Sequence, residues 1–177
     1  RVFVNSWSDF FIEEADPWRA EAWDIIRRTP HLTYQILTKR PENIRDRLPD
    51  DWGAGYPNVW LGVSTEDQEN ADKRIPLLLS ISSRVHFVSA EPLLGPIQFS
   101  KWFISLSTSL IKPPIEWIII GGESGPNHRP MKLAWAYDIV SQCETYDIPI
   151  FVKQDSGFLP GIKGRIPDDL WIKEFPA

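Results

Sequence analysis

Three short strings place polar chemistry directly after apolar runs: Thr38-Lys39-Arg40-Pro41, Ser89-Ala90-Glu91-Pro92 and Gly121-Gly122-Glu123-Ser124-Gly125. In the first, two cations stand just before a helix, a place suited to meeting a carboxylate or a phosphate. The second sets a carboxylate one step past a strand-like run. The third surrounds an acid with glycines, which lack Cβ, tolerate positive φ and so let backbone come close to a ligand. It is not a dinucleotide fingerprint, because the spacing differs and no helix follows at once. Taken alone, such a string reads first as a turn.

Polar residues follow the other apolar runs as well. The resulting candidate binding set is Asn5, Ser8, Asp9, Lys39, Arg40, Ser64, Glu66, Ser89, Glu91, Gly121, Gly122, Glu123, Ser124, Lys153 and Gln154. Each by itself reads as a helix cap or a loop ion-pair partner. As a set they converge on one face if their strands run parallel, and that face is where parallel α/β proteins bind ligands. Lys39, Glu91, Glu123 and Lys153 lead the set and are expected to share one cavity, two acids balancing two bases. No residue stands out as catalytic. His31, His86 and His128 show neither metal-ligand spacing nor a nucleophile constellation and read as structural or surface residues. Cys143 is the single cysteine, so the chain alone makes no intrachain disulfide and no cysteine-rich metal cluster. It lies in the helix-periodic stretch Trp135–Cys143 and reads as a small buried residue.

The elements that must position these residues are short runs rich in β-branched and aromatic side chains: Val2–Val4, Thr33–Leu37, Val59–Val63, Val85–Val88, Trp117–Ile120 and Ile148–Val152. Their near-continuous apolarity is what a strand buried on both faces requires. Helical signals lie between them. Asp16-Pro17 supplies an N-cap and a first-position proline before Trp18–Arg28. Thr65-Glu66-Asp67-Gln68 resembles the capped start of a helix to about Leu79, and Met131–Thr145 is amphipathic. Strands alternating with helices at βα spacing imply a parallel sheet. Six of them suit an open doubly wound sheet or most of a barrel. The expected fold is α/β, a parallel (β/α) barrel, partial and TIM-like, missing its first strand unit. Residues 1–156 form that domain, and 157–177 a Gly/Pro-rich strap packed by Phe158, Trp171 and Phe175. Residues 94–114 break the rhythm and read as a short helix at Trp102-Phe103 followed by a Ser/Thr-rich surface loop.

The chain opens directly in a strand-like run, as the middle of a longer protein would. Such an edge at Val2–Val4 invites self-association. With 177 residues, 42% hydrophobic and 24% charged, the composition is that of a globular domain. A net charge of −5 provides no global basic field for nucleic acid or an anionic membrane. The clusters Arg27-Arg28, Lys39-Arg40 and Arg45 with Arg47 read as solvated helix faces. The nine tryptophans fit a rich core and a binding surface equally. There is neither a membrane-length apolar run nor a signal-like segment, so the expected location is cytoplasmic.

Five ordered motifs, ILTKRPENI, VWLGVSTEDQ, FVSAEPLLGPI, WIIIGGESGPNHRPM and PIFVKQ, resemble the phage Gp37/Gp68-like family, a domain of unknown function similar to radical S-adenosylmethionine enzymes. The likeness runs from about Val2 to Phe175. It implies a partial or full TIM-like barrel, with a three-cysteine motif after the first strand that holds a [4Fe–4S] cluster. That motif is absent from these residues, and Arg1 corresponds to a point near the family's second strand. The resemblance therefore implies no cofactor held by this chain alone, with [4Fe–4S] and S-adenosylmethionine expected for an intact parent. There the strand-end residues bind the cofactor's amino-acid and ribose groups and a small-molecule or macromolecular substrate. Lys39 or Lys153 then pairs with a carboxylate, and Glu91 or Glu123 with an ammonium or a ribose hydroxyl. Two rivals differ in class. One is a barrel hydrolase or isomerase using Mg²⁺ or Mn²⁺ on Asp9, Glu91 and Glu123. The other is a non-catalytic protein-interaction module.

Overall fold

The structure is a computed structural model that describes residues 1–104 and 113–176. Six strands form among these residues: β1 (Val2–Val4), β2 (Tyr34–Thr38), β3 (Val59–Ser64), β4 (Val85–Ala90), β5 (Trp117–Ile120) and β6 (Ile150–Val152). All are parallel and hydrogen-bonded in chain order. A doubly wound sheet reverses its strand order part-way. Here the order never reverses, and the sheet curls into a half-barrel.

Side chains alternate across the sheet with period two, and the two faces are packed differently. Ile36, Leu61, Val63, Val88, Ile118 and Val152 join the large core beneath the helices α1 (Asp16–Arg28), α2 (Gln68–Leu79) and α4 (Leu133–Thr145). The concave face carries a second cluster of Trp60, Val85, Phe87, Trp117 and Ile119. Its side chains stack in rows fixed by register, of which Leu37–Gly62–Phe87–Trp117 is the middle one. Curling crowds this face, and glycine relieves the crowding at one point: a Cβ on Gly62 would lie 2.5 Å from the Phe87 ring.

Local signals explain most element ends. Asp67 caps α2, its Oδ1 accepting the Asn70 N–H at 2.9 Å. Asp16 does not cap α1. A one-turn helix at Glu13–Ala15 runs straight into it, leaving no extended capping residue, and the Asp16 carboxylate pairs with Arg19 and Arg47 instead. The helix α4 starts at Leu133, later than the periodicity predicts, because Met131 is tied to the tail: its N–H donates to Ser156 Oγ at 2.8 Å and its carbonyl accepts from Arg165 at 2.9 Å. Between β2 and β3 two single turns, Pro41–Asn43 and Arg45–Arg47, stand in place of a long helix. Trp23, Trp52 and Tyr56 fill the space against α1, with ring centroids 5.1–6.0 Å apart. Five of the tryptophans, Trp23, Trp52, Trp60, Trp102 and Trp117, are thus core residues, whereas Trp7 and Trp18 are exposed. The short helix expected near Trp102 is α3 (Ser100–Phe103), and the Ser/Thr stretch after it lies outside the described residues.

The outer edge of β6 is taken by the tail. Val152 N–H donates to Ile172 O at 2.9 Å and Glu174 N–H to Ile150 O at 3.0 Å, with Phe151 opposite Lys173 in an antiparallel bridge. The Phe175 ring then rests 5.2 Å from Trp117 and 5.3 Å from Phe151, with the Arg1 guanidinium 4.2 Å above it. Phe158 plays no part in this packing and is 68% exposed. Asp155 N–H reaches Ile162 O at 2.9 Å, which closes a turn and leaves Phe158 at its tip. The β1 strand has a neighbour on one side alone among the described residues, with its register set against β2. No helix among the described residues is long and apolar enough to cross a membrane. Gly62→Ala should cost about 2 kcal/mol of stability through overpacking against Phe87. A Phe87→Leu background should recover part of that loss, and urea unfolding of the single and double variants measures both.

Candidate functional site

The concave alternation continues past the end of each strand. Leu37 is followed two residues on by Lys39, Ser64 by Glu66, Ser89 by Glu91, Ile119 by Gly121 and Phe151 by Lys153. Each strand therefore delivers its next inward position to the same carboxyl edge, Asn5 doing so after β1, and four of those six positions are charged.

At the β1–β3 side, Asp9 fastens the loop after β1 to the end of β2. Its carboxylate accepts from Thr38 Oγ1 at 2.8 and 2.9 Å, from Lys39 N–H at 2.9 Å and from Phe11 N–H at 2.9 Å. Arg40 lies 3.7 Å away. Glu66 is held by the Lys39 ammonium and by Arg74, whose Nη1 reaches Glu66 Oε2 and Ser64 O, each at 2.8 Å. Burial alone would raise the Glu66 carboxyl, but the bonds from Lys39 and the nearby Arg74 charge outweigh it and hold the group below the ordinary carboxylate range. Asn5, Ser8, Asp9, Lys39, Arg40 and Ser64 all line one cavity of about 400 Å³.

At the β4–β6 side, Ser89 Oγ donates to Glu91 Oε2 at 2.9 Å, and Lys153 Nζ lies 3.1 Å from Glu91 Oε1. The glycines make room for the chain itself. A Cβ on Gly121 would stand 2.7 Å from Glu91 Oε1, and one on Gly122 would stand 2.1 Å from Ser156 N. The Gln154 amide is engaged at both ends, donating to Gly122 O and accepting from Gly161 N–H at 2.8 Å each. Ser124 forms an isolated bridge with Gly157. Glu123 turns to its own loop, where Arg129 N, Nε and Nη2 reach its carboxylate at 2.7, 2.9 and 2.6 Å. Those bonds pull its carboxyl down to about 2.

Of the four leading residues, two meet and two turn to other partners. Glu91 and Lys153 pair with each other, Lys39 goes to Glu66 and Glu123 to Arg129. A long cation reaches down from the rim more easily than it crosses the mouth, so each carboxylate takes its nearest partner. The layering is consistent. The acid side chains of Asp9, Glu66 and Glu91 are 12, 12 and 16% exposed, whereas Arg40, Lys39 and Lys153 are each 52% exposed. Buried acids hold the cations in place, and the cations face solvent.

Sequence reasoning missed Arg74, Arg129, Lys173 and Trp7. Arg74 flanks the buried Ala71–Ile75–Leu78 stripe of α2, which helical phase can reveal. Arg129 had no signal beyond its place in the WIIIGGESGPNHRPM string. Lys173 sits in the tail, bonded to Val152 O at 2.5 Å and Lys153 O at 3.2 Å, with the Trp171 ring 3.4 Å away. Burial pushes its ammonium down, opposed by Glu91. It thus borders the Glu91–Lys153 pair, which only the antiparallel return of the tail reveals.

A [4Fe–4S] cluster does not fit these residues. Cys143 is wholly buried on α4, burial pushes its thiol up, and no three His, Cys, Asp or Glu among the described residues are placed to share a metal ion. Asp9, Glu91 and Glu123 are likewise each engaged by their own cation.

The Glu123 carboxyl lies below its unfolded value of roughly 4.3, so its pair with Arg129 contributes fully above that value and is lost as pH falls through about 2. The expected outcome is a Glu123 side-chain titration near pH 2 by NMR, with the amides of residues 121–131 unchanged at pH 4. A midpoint near 4.3 would contradict the bonded loop.

Neither the curated proteins nor the solved structures include a match to the chain. The sequence profile of the family described as "Protein of unknown function (DUF5131)" matches residues 1–167. The chain belongs to that family.

Proposed function

We propose that the carboxyl edge of this half-barrel grips the zwitterionic amino-acid group of S-adenosylmethionine, in a radical-type barrel protein akin to the phage Gp37/Gp68-like family. The observation that carries this reading is the Glu91–Lys153 pair, 3.1 Å apart beside Gly121, with a half-exposed ammonium over a carboxylate that is 16% exposed. Such a pair is a preformed counterpart to an amino acid. The ligand ammonium takes the place of Lys153 on Glu91, and the released Lys153, or Lys39, meets the ligand carboxylate. Glu91 exchanges one cation for another and is never left alone in a poorly solvated place, which keeps the desolvation cost small. Ser89 holds the second Glu91 oxygen and fixes its orientation. In this reading the cluster's ligands come from outside these 177 residues.

Calorimetry on the 177-residue chain tests this. S-adenosylmethionine and S-adenosylhomocysteine should bind, while 5′-methylthioadenosine, which lacks the amino-acid group, should bind at least about tenfold more weakly, as expected for loss of a charge-assisted contact. Glu91→Gln should lower affinity for the first two by a similar factor with little change in thermal midpoint. Equal binding of all three ligands, or of none, would overturn the reading.

A further inference from the structure

We propose that the cavity at the ends of β1, β2 and β3 is a nucleotide site, in which a nucleobase stacks on Trp7 and a phosphate meets Lys39 and Arg40. This goes beyond the amino-acid site of Glu91 and Lys153 and uses none of its residues except Lys39, a shared rim cation.

Three observations converge. Trp7 is wholly exposed, at 100%, and lines the cavity. Its placement is built rather than frayed. Asn5 adopts the left-handed φ of 56°, Ser8 N–H closes back on Asn5 O at 3.1 Å, and Asp9 bolts the end of the loop to Thr38 and Lys39. A fully solvated indole forgoes the burial that the other tryptophans obtain, and it presents a flat π-face suited to a base. Second, Arg40 and Lys39 stand on the same cavity with half-exposed heads. Arg40 Nη1 is 3.7 Å from Asp9, an ion pair beyond hydrogen-bond distance, so its planar fork keeps donors for phosphate oxygens. Third, Phe3 and Leu37 add an apolar lining to the same cavity, and the volume of about 400 Å³ is in the range of a single small ligand. An aromatic face and two cations in one cavity suit the base and the phosphate of a nucleotide.

A nucleotide fits better than a strand of nucleic acid. The cations lining this cavity are Lys39 and Arg40 alone, each is paired with an acid that is 12% exposed, and the chain's net charge is −5. A strand-binding groove needs a basic track along several phosphates.

The test uses the 177-residue chain with uridine 5′-diphosphate, uridine and inorganic pyrophosphate, the uracil base being absent from S-adenosylmethionine. By calorimetry the diphosphate should bind at least about tenfold more tightly than either part, since stacking and phosphate contacts add. Trp7→Ala should weaken the diphosphate and uridine about tenfold or more and leave pyrophosphate unchanged, while Trp7→Phe retains most of the affinity. Arg40→Gln should weaken the diphosphate and pyrophosphate but not uridine. Because Trp7 touches no core, circular dichroism should show an unaltered fold in its variants. Diphosphate binding no tighter than pyrophosphate, or insensitive to Trp7→Ala, overturns the site. So does an oligothymidylate that displaces the diphosphate and covers several nucleotides per chain. A chain that binds S-adenosylmethionine but not the uridine nucleotide overturns this inference alone, and the converse overturns the amino-acid site alone.

Discussion

Parallel pairing in unbroken chain order is the constraint from which the rest of the structure follows. It requires every crossover to return the chain to the same starting edge, so all six strands deliver their carboxyl ends to one side. It also aligns inward residues in rows across the sheet, so that a large ring at Phe87 must be answered by glycine at Gly62 in the neighbouring strand. Trp117 fills the same row, Trp60 the row below, and the tail's Phe175 packs against Trp117, which leaves the carboxyl edge as the polar end of the concave face. Fold and candidate site thus share one origin: a two-residue alternation that is mostly apolar within the strands and charged at four of the six positions one step beyond them.

Electrostatics then sets the form of that edge. A carboxylate this far from water is tolerated because a cation and hydrogen-bond donors meet it. Lys39 and Arg74 serve Glu66, Lys153 and Ser89 serve Glu91, and backbone N–H groups serve Asp9. Long flexible cations keep their heads in solvent while their acids stay below. The surface a ligand first meets is therefore cationic, although the chain as a whole is acidic.

Much of the fold was legible because burial on both faces leaves continuous apolar runs, and each of the six strands falls within two residues of its run at either end. The sixth starts late: Ile148 and Pro149 precede pairing, and a proline cannot donate to a ladder. The start of α2 was readable from Thr65-Glu66-Asp67-Gln68 because capping is local information, although that pattern places the cap at Thr65 and the structure places it at Asp67. The role of Asp16 was not, since the turn at Glu13–Ala15 that displaces it is set by tertiary packing. The positions of Lys39, Glu66, Glu91 and Lys153 were legible through the parallel sheet, but their pairing was not, for which acid each cation reaches depends on the curl. The Gly121-Gly122 pair illustrates the same limit. Sequence shows that close approach is needed, and only structure shows that Glu91 and Ser156 are what approach. Lys173 was out of reach altogether, because the tail's return along β6 has no local signal.

The central claim is that ligand chemistry belongs to the carboxyl edge and to no other face. Amide chemical-shift mapping of the 177-residue chain during titration with S-adenosylmethionine tests it most directly. The account predicts that the largest shifts fall at residues 39–40, 64–66, 89–91, 121–123 and 153–154, all at strand ends that the parallel sheet gathers together. Saturable shifts centred instead on the opposite edge, around Arg27, Asp51 and Ser82, would contradict it.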